Sequence, residues 1–271
     1  MKLNTVFQIG NTSEDSGADT MFVEVGETFC SIAAVDSSAK SAKYIDVYSF
    51  DAMALNESID AILKLISDRK KDVSNLVVSS AFPQALLVPN KFFHLKASLL
   101  HNIYNLNHFF PLNDPIAEWQ LMNVYALPLS IHKKITEQHP YANFMHAYTP
   151  LLKIYNGFTS DHQLSAHFIG KQFRVMVKKN HHIQMVQTYS YSSPMDVVYF
   201  LLKICSEFQL PQEETQIIIS GLIEENSALY KELHNYFLHL HFAISETLSL
   251  PEHEYPNHFF TSLHNLAACA L

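Results

Sequence analysis

One pattern of elements occurs twice in this chain, and a duplication limits the possible folds more than any other feature of the sequence. Residues 21–80 read strand, strand, strand, helix, strand. Residues 164–220 read the same way, with matching elements about 140 residues apart. In the first copy Met21–Val25 is a short strand and Gly26-Glu27 a turn. Thr28–Val35 and Tyr44–Phe50 are the next two strands, rich in β-branched and aromatic residues. A helix follows near Asn56, where Ile59, Ile62, Leu63 and Ile66 recur at helical spacing. Leu76–Ser79 is a short apolar run, the mark of a strand buried on both faces.

The second copy opens with Leu164–Ile169, turns at Gly170-Lys171, and alternates through Phe173–Val177. Lys179-Asn180 is a second turn, and Ile183–Tyr191 returns as the third strand. Ser193 can accept the free amide protons of a helix start, Pro194 suits the first helical position, and Asp196 suits the positive helix end. The helix runs to about Gln209, with Val197, Val198, Leu201, Ile204, Cys205 and Phe208 inside. Ile217–Ile219 is the buried fourth strand, ended by Ser220-Gly221. Three antiparallel strands followed by a helical crossover to a parallel strand give a mixed sheet. The expected fold is α/β with two lobes. The first is 1–158, including an aromatic-rich insert at about 81–158, and the second is 159–271.

Prolines at 83, 89, 111, 115, 128 and 140 cut the insert into short pieces. Leu86–Pro89, 116–127 and 142–148 read as extended, and 91–106 and 129–138 as helical. Phe92, Phe93, Phe109, Phe110 and Trp119 make it a candidate binding surface, since protein interfaces favour aromatics.

Composition excludes several classes. Hydrophobic residues are 48% and charged residues 16% of 271, so neither disorder nor a coiled coil fits. The net charge is −8, and the basic clusters at 69–71, 133–134 and 178–179 are short and scattered, which excludes a nucleic-acid footprint. No secretory signal and no run of membrane-spanning length is visible. Cys30, Cys205 and Cys269 lie far apart among apolar neighbours, as buried thiols of a cytoplasmic protein do. The expected partner is another protein, with no membrane insertion.

Only six glycines occur, and no Walker A loop, dinucleotide fingerprint or nucleophile elbow is present. The 16 histidines include His239 and His241 on one strand face, yet there is no HExxH and no cysteine pair, so no metal site is expected. Ser79-Ser80 and Ser220 end the two buried strands with no base near them in sequence.

The duplicated unit, Leu87-Val-Pro89 followed by Phe92-Phe93, Tyr189–Leu202 and Ile217–Leu222 together resemble an uncharacterised family of bacterial proteins with the actin-like ATPase fold. That resemblance implies two ribonuclease-H-like lobes. In active members of the superfamily an Asp-x-Gly turn joins the first two strands of each lobe, and a Gly-Gly pair ends the adenosine-binding strand. Here the first turn is Glu24-Val25-Gly26 and the second is Phe168-Ile169-Gly170, while Ser220-Gly221 ends the strand. The resemblance thus implies a degenerate nucleotide cleft, with Glu24, Gly26, Gly170, Ser220 and Gly221 as the cofactor-binding residues should ATP with magnesium bind at all. No catalytic residue is expected. A pseudo-ATPase serving as a scaffold is the leading expectation, because some actin-like relatives are assembly scaffolds. A slow ATPase or phosphotransferase is the alternative.

Overall fold

The computed structural model describes residues 3–11, 17–69, 74–154 and 162–271, without the side chains of 95–98. The expected lobe boundary at 158/159 and the lysines 70 and 71 lie outside the described residues. By contacts the chain forms two units: 1–156 with 246–254 and 263–271, and 157–245 with 255–262. Residues 246–254 and 263–271 thus group with the first unit, whereas the sequence pattern puts them in the second.

The first unit begins with β1 (Asn4–Gly10), β2 (Thr20–Val25), β3 (Phe29–Asp36), β4 (Ser41–Ser49), α1 (Leu55–Arg69) and β5 (Asn75–Ser80). Its insert holds β6 (Ala85–Pro89), α2 (Lys96–Ile103), β7 (Phe109–Ile116), β8 (Leu121–Pro128), α3 (Leu129–Gln138), β9 (Asn143–His146) and α4 (Tyr148–Ile154). The second unit holds β10 (His162–Ile169), β11 (Gln172–Lys179), β12 (His182–Ser190), α5 (Pro194–Glu207), β13 (Gln216–Gly221), α6 (Ala228–Tyr236) and β14 (His239–Phe242). A last helix, α7, spans Thr261–Ala270.

The first sheet has the order β1-β4-β3-β2-β5-β9 and the second β12-β11-β10-β13-β14. In both, a three-stranded antiparallel meander is followed by two parallel strands, so the repeat extends one strand beyond the pattern read from sequence. A third sheet, β6-β8-β7, is wholly antiparallel.

Local chemistry explains the shared elements. Ser193 Oγ accepts from the Asp196 amide at 3.3 Å, and the Asp196 carboxylate accepts from the Ser193 and Ser192 amides at 2.9 and 2.8 Å. This reciprocal box, with Pro194 at the first position, starts α5 where the sequence places it. Those two amides hold the Asp196 carboxyl below its usual range. At the other end Leu210 N–H donates to Cys205 and Gln209 N–H to Ser206, with Gln209 at φ +52°. That is a Schellman stop built on glutamine instead of glycine. Ile59, Ile62, Leu63 and Ile66 of α1 pack on Met21, Val23 and Val25 of β2. Each such burial contributes about 1.5–3 kcal/mol. Val197, Val198, Leu201 and Ile204 of α5 do the same against Phe168, Phe173, Ile217 and Ile219.

The insert departs from its sequence reading. Phe109–Ile116 is a strand despite Pro111 and Pro115, which is tolerable because β7 lies at a sheet edge and need not donate outward. The expected extended run 116–127 is broken by a short 3-10 turn at Ala117–Trp119 before β8. Of the five aromatics proposed as a surface, only Phe92 is exposed. Phe93 and Phe109 pack against Leu100 and Val124, Phe110 stacks on His132 at 3.9 Å, and Trp119 Nε1 donates to the Leu152 carbonyl at 2.9 Å. Four of the five are thus partly buried against the subdomain and form no exposed aromatic patch.

Candidate functional site

Of the two β-hairpins that would receive phosphate in an actin-like ATPase, the first is closed by its own side chain and amide. In the first, Gly26 N–H donates to the Phe29 carbonyl at 3.0 Å. The Phe29 ring occupies the space into which a Cβ on Gly26 would project. Amide and open face are both taken, and these are the two assets a glycine offers a phosphate oxygen. Glu24, one strand position back, is buried. Its carboxylate and that of Asp46 reinforce the burial that drives the Cys30 thiol far above its ordinary pKa.

In the second hairpin Gly170 takes φ +57° to turn the chain, and its carbonyl accepts the Tyr191 hydroxyl at 3.1 Å. Gly221 takes φ +80°, and the Phe168 backbone lies where its Cβ would be. Leu222 N–H donates to the Phe168 carbonyl at 2.7 Å, so this close approach locks the end of β13 onto β10. Gly221 is needed for that approach whether or not a ligand ever comes near. Glu24 and Gly26 belong to the first unit, and Gly170, Ser220 and Gly221 to the second.

Sheet register corrects the residue matched to Glu24. Glu24 lies opposite Ser31 on β3 and beside Ser79 on β5, and Val25 opposite Cys30 and beside Ser80. On the second sheet His167 lies opposite Arg174 and beside Ser220, and Phe168 opposite Phe173 and beside Gly221. The strand counterpart of Glu24 is therefore His167, not Phe168. Matching the glycines slips by one residue: the two hairpins are equally long, Val25 pairing with Cys30 as Phe168 pairs with Phe173, but Gly26 directly follows that pair whereas Gly170 stands one residue further into its turn. A slip of one turns a side chain to the other face of its sheet. Phe168 accordingly faces the helix side, stacked on Phe173 with ring centroids 5.5 Å apart.

His167 is the residue that sequence reading missed. Its Nδ1 lies 2.9 Å from Ser220 Oγ, across 53 residues of chain, and both are buried. Burial, then the Arg174 guanidinium, then His258 lower its pKa to about 3. The ring is neutral at any physiological pH. A serine beside a histidine is the start of a nucleophile and base pair, but a base also needs an anion to stabilise the imidazolium it becomes. Here the neighbour is a cation, so this pair holds two strands together and does not activate Ser220.

A second buried polar network lies in the first unit. Asp114 accepts from Thr149 Oγ1 at 2.6 Å, the His146 amide at 2.8 Å and Tyr125 Oη at 3.3 Å. Burial still leaves its carboxyl raised. His146 Nε2 meets the Phe82 carbonyl at 2.9 Å, and its Nδ1 accepts from the Tyr148 amide at 3.2 Å. A carbonyl can only accept, so the proton sits on Nε2 and the ring is a neutral strut. Among the described residues no three His, Cys, Asp or Glu side chains converge as metal ligands. His239 Nε2 bonds the Glu213 carbonyl at 2.9 Å. A pocket of about 240 Å³ between α2, β7 and β8 is lined mainly by Leu100, Leu106, Phe109, Leu112 and Val124, and none of the candidate site residues reaches it.

The family model described as "Protein of unknown function (DUF3822)" matches residues 10–240. The chain belongs to that family. No curated protein matches it significantly. Among solved structures it is similar to a Bacteroides thetaiotaomicron protein with actin-like ATPase fold and unknown function. The TM-score is 0.77 at 14% identity, covering 94% of this chain and 97% of that one. It is also similar to a chain of the PilM-PilN type IV pilus biogenesis complex. There the TM-score is 0.60 at 12% identity, covering 93% and 98%. This member of the family thus has the actin-like ATPase fold, with the two sheets described above as its duplicated cores. No helix among the described residues is long and apolar enough to cross a membrane.

Proposed function

We propose that the protein is a cytoplasmic pseudo-ATPase of actin-like fold that acts as a non-catalytic interaction or scaffold module for another protein. The observation that carries this reading is His167. Two acids, one per lobe, are what the superfamily uses to hold the nucleotide's metal. Here one position is Glu24, and the other is a neutral histidine beside Arg174. A magnesium ion needs hard anionic oxygens, and an adjacent guanidinium opposes it. The covered Gly26 removes a phosphate contact as well. The pilus complex supports the interaction role, because a chain of this fold is held there with a partner protein. Three free cysteines accord with a reducing compartment.

The test is calorimetry with ATP and magnesium on the full chain. No binding is expected at micromolar concentration. A micromolar dissociation constant that Glu24→Gln removes would sink the reading and favour a slow ATPase or phosphotransferase.

A further inference from the structure

We propose that the outer edge of β12 is a docking edge, which takes up an extended acidic segment of a partner protein as an added antiparallel strand. This rests on the interaction-module reading and names the surface that serves it. The duplication itself supplies the geometry. The counterpart of β12 in the first sheet is β4, and β4 carries β1 on its outer side, antiparallel from Asn4 opposite Ser49 to Gly10 opposite Tyr44. β12 ends the second sheet, and among the described residues no strand lies beyond it. Burial records the difference. Every residue of β4 from Tyr44 to Tyr48 is buried, whereas in β12 only Val186 is. The covering strand needs little of its own, since β1 buries just Phe7 and Ile9.

Apart from β1, the other sheet edges are protected in ways this one is not. Proteins blunt exposed edges with short strands, prolines and charges. β9 and β14 have four residues each, β6 ends at Pro89, and β7 contains Pro111 and Pro115. β12 has nine residues with neither proline nor lysine, and after an irregularity near Gln184 it pairs regularly from Met185 to Ser190.

Charge selects the occupant. No Asp or Glu occurs from His162 to Met195 in a chain of net charge −8; of the four cations in that stretch Arg174 and Lys178 are buried and Lys179 Nζ donates to the Phe208 carbonyl at 2.8 Å, which leaves Lys171 as the exposed one. Exposed Lys171 sits at one end of β12, where its carbonyl accepts the Tyr191 amide at 3.0 Å. Exposed His181 and His182 sit at the other. The nearby acids on α5 are occupied. Asp196 caps its helix, and Glu207, beside Tyr189, faces Lys203 Nζ at 3.8 Å. Complementary charge of this kind selects partners and speeds their arrival. Tyr189 stacks on Phe200 at 4.5 Å, with Tyr199 beside it and 59% exposed, so an apolar side chain of the segment has a ledge to rest on.

The test uses two end-capped peptides on the full chain: the β1 sequence Asn4–Gly10, and the same peptide with Asn4→Glu and Gln8→Glu. Binding is read by calorimetry, and its place by amide hydrogen exchange. The acidic peptide should bind about three- to fivefold more tightly than the neutral one, the effect of one or two exposed ion pairs. Lys171→Glu should erase that preference. Exchange should slow within 182–190, and N-methylation of alternate peptide amides should abolish binding in one parity only. Four results would overturn the proposal: no binding of either peptide at about 1 mM, protection at another edge, equal sensitivity to both methylation parities, or a peptide-free dimer with β12 already protected, which would give the edge to a second copy. ATP binding with β12 protection intact would refute the pseudo-ATPase reading and spare the docking edge. Lost protection without ATP binding would do the reverse.

Discussion

Replacing Gly221 with alanine should be one of the most damaging single-methyl additions available in this chain. At φ +80° any L side chain is strained, by about 1–2 kcal/mol. The added Cβ would also stand 2.8 Å from the Phe168 nitrogen and 2.9 Å from its carbonyl carbon, and closer still to its oxygen. Ordinary carbon contacts lie near 3.5–4.0 Å, so β10 and β13 would have to part. Parting them stretches the 2.7 Å bond from Leu222 N–H to the Phe168 carbonyl, and a buried partner left unsatisfied costs about 1–3 kcal/mol. Together these give roughly 2–5 kcal/mol. Gly17 is the internal control. It has φ +67° and no heavy atom within 4 Å of a built Cβ, so Gly17→Ala carries the backbone strain alone, about 1 kcal/mol. The assay is urea unfolding followed by far-ultraviolet circular dichroism on both variants. If Gly221→Ala costs no more than Gly17→Ala, the close approach of β13 to Phe168 is not what requires the glycine, and the reasoning fails.

Two further outcomes follow from particular contacts. His167 has its pKa lowered to about 3, far below the ordinary imidazole value of about 6.5, so the unfolded chain takes up a proton there that the folded chain refuses. Stability should therefore be unaffected above pH 6.5 and fall by about 1.4 kcal/mol per pH unit as pH drops below 6 toward 4. Urea midpoints of wild type and His167→Asn across that range should show a shallower slope in the variant; equal slopes would refute the assignment. Gln209→Gly should stabilise α5 by about 0.5–1 kcal/mol, because Gln209 holds φ +52° at the Schellman position. A fall in melting temperature would mean that the glutamine side chain contributes more there than its backbone strain costs.

The duplicated unit was legible from sequence because its signals are local. Alternation through Phe173–Val177, the apolar spacing of α1 and the Ser193-Pro194 start of α5 each act within a few residues, and each element formed where its chemistry lies. The Phe109–Ile116 strand was hidden by its prolines, since only the sheet order reveals that β7 is an edge and can accept them. β1 was missed because a strand that buries only Phe7 and Ile9 barely alternates.

The candidate site was legible only in part. Composition alone marked the scarcity of glycine, and the turn residues Glu24, Gly26, Gly170 and Gly221 stand out in the sequence. Which residue stands opposite Glu24 in the duplicate could not be read there, because that depends on ladder register and not on where each turn carries its glycine, and register moves the answer from Phe168 to His167. The 2.9 Å meeting of His167 with Ser220, Arg174 across the ladder and the Phe29 ring over Gly26 are likewise products of pairing and packing. Sequence determines what each segment prefers to be. Tertiary structure decides which faces are buried and which distant polar groups meet, because strand pairing and hydrophobic burial act between residues that the chain keeps far apart.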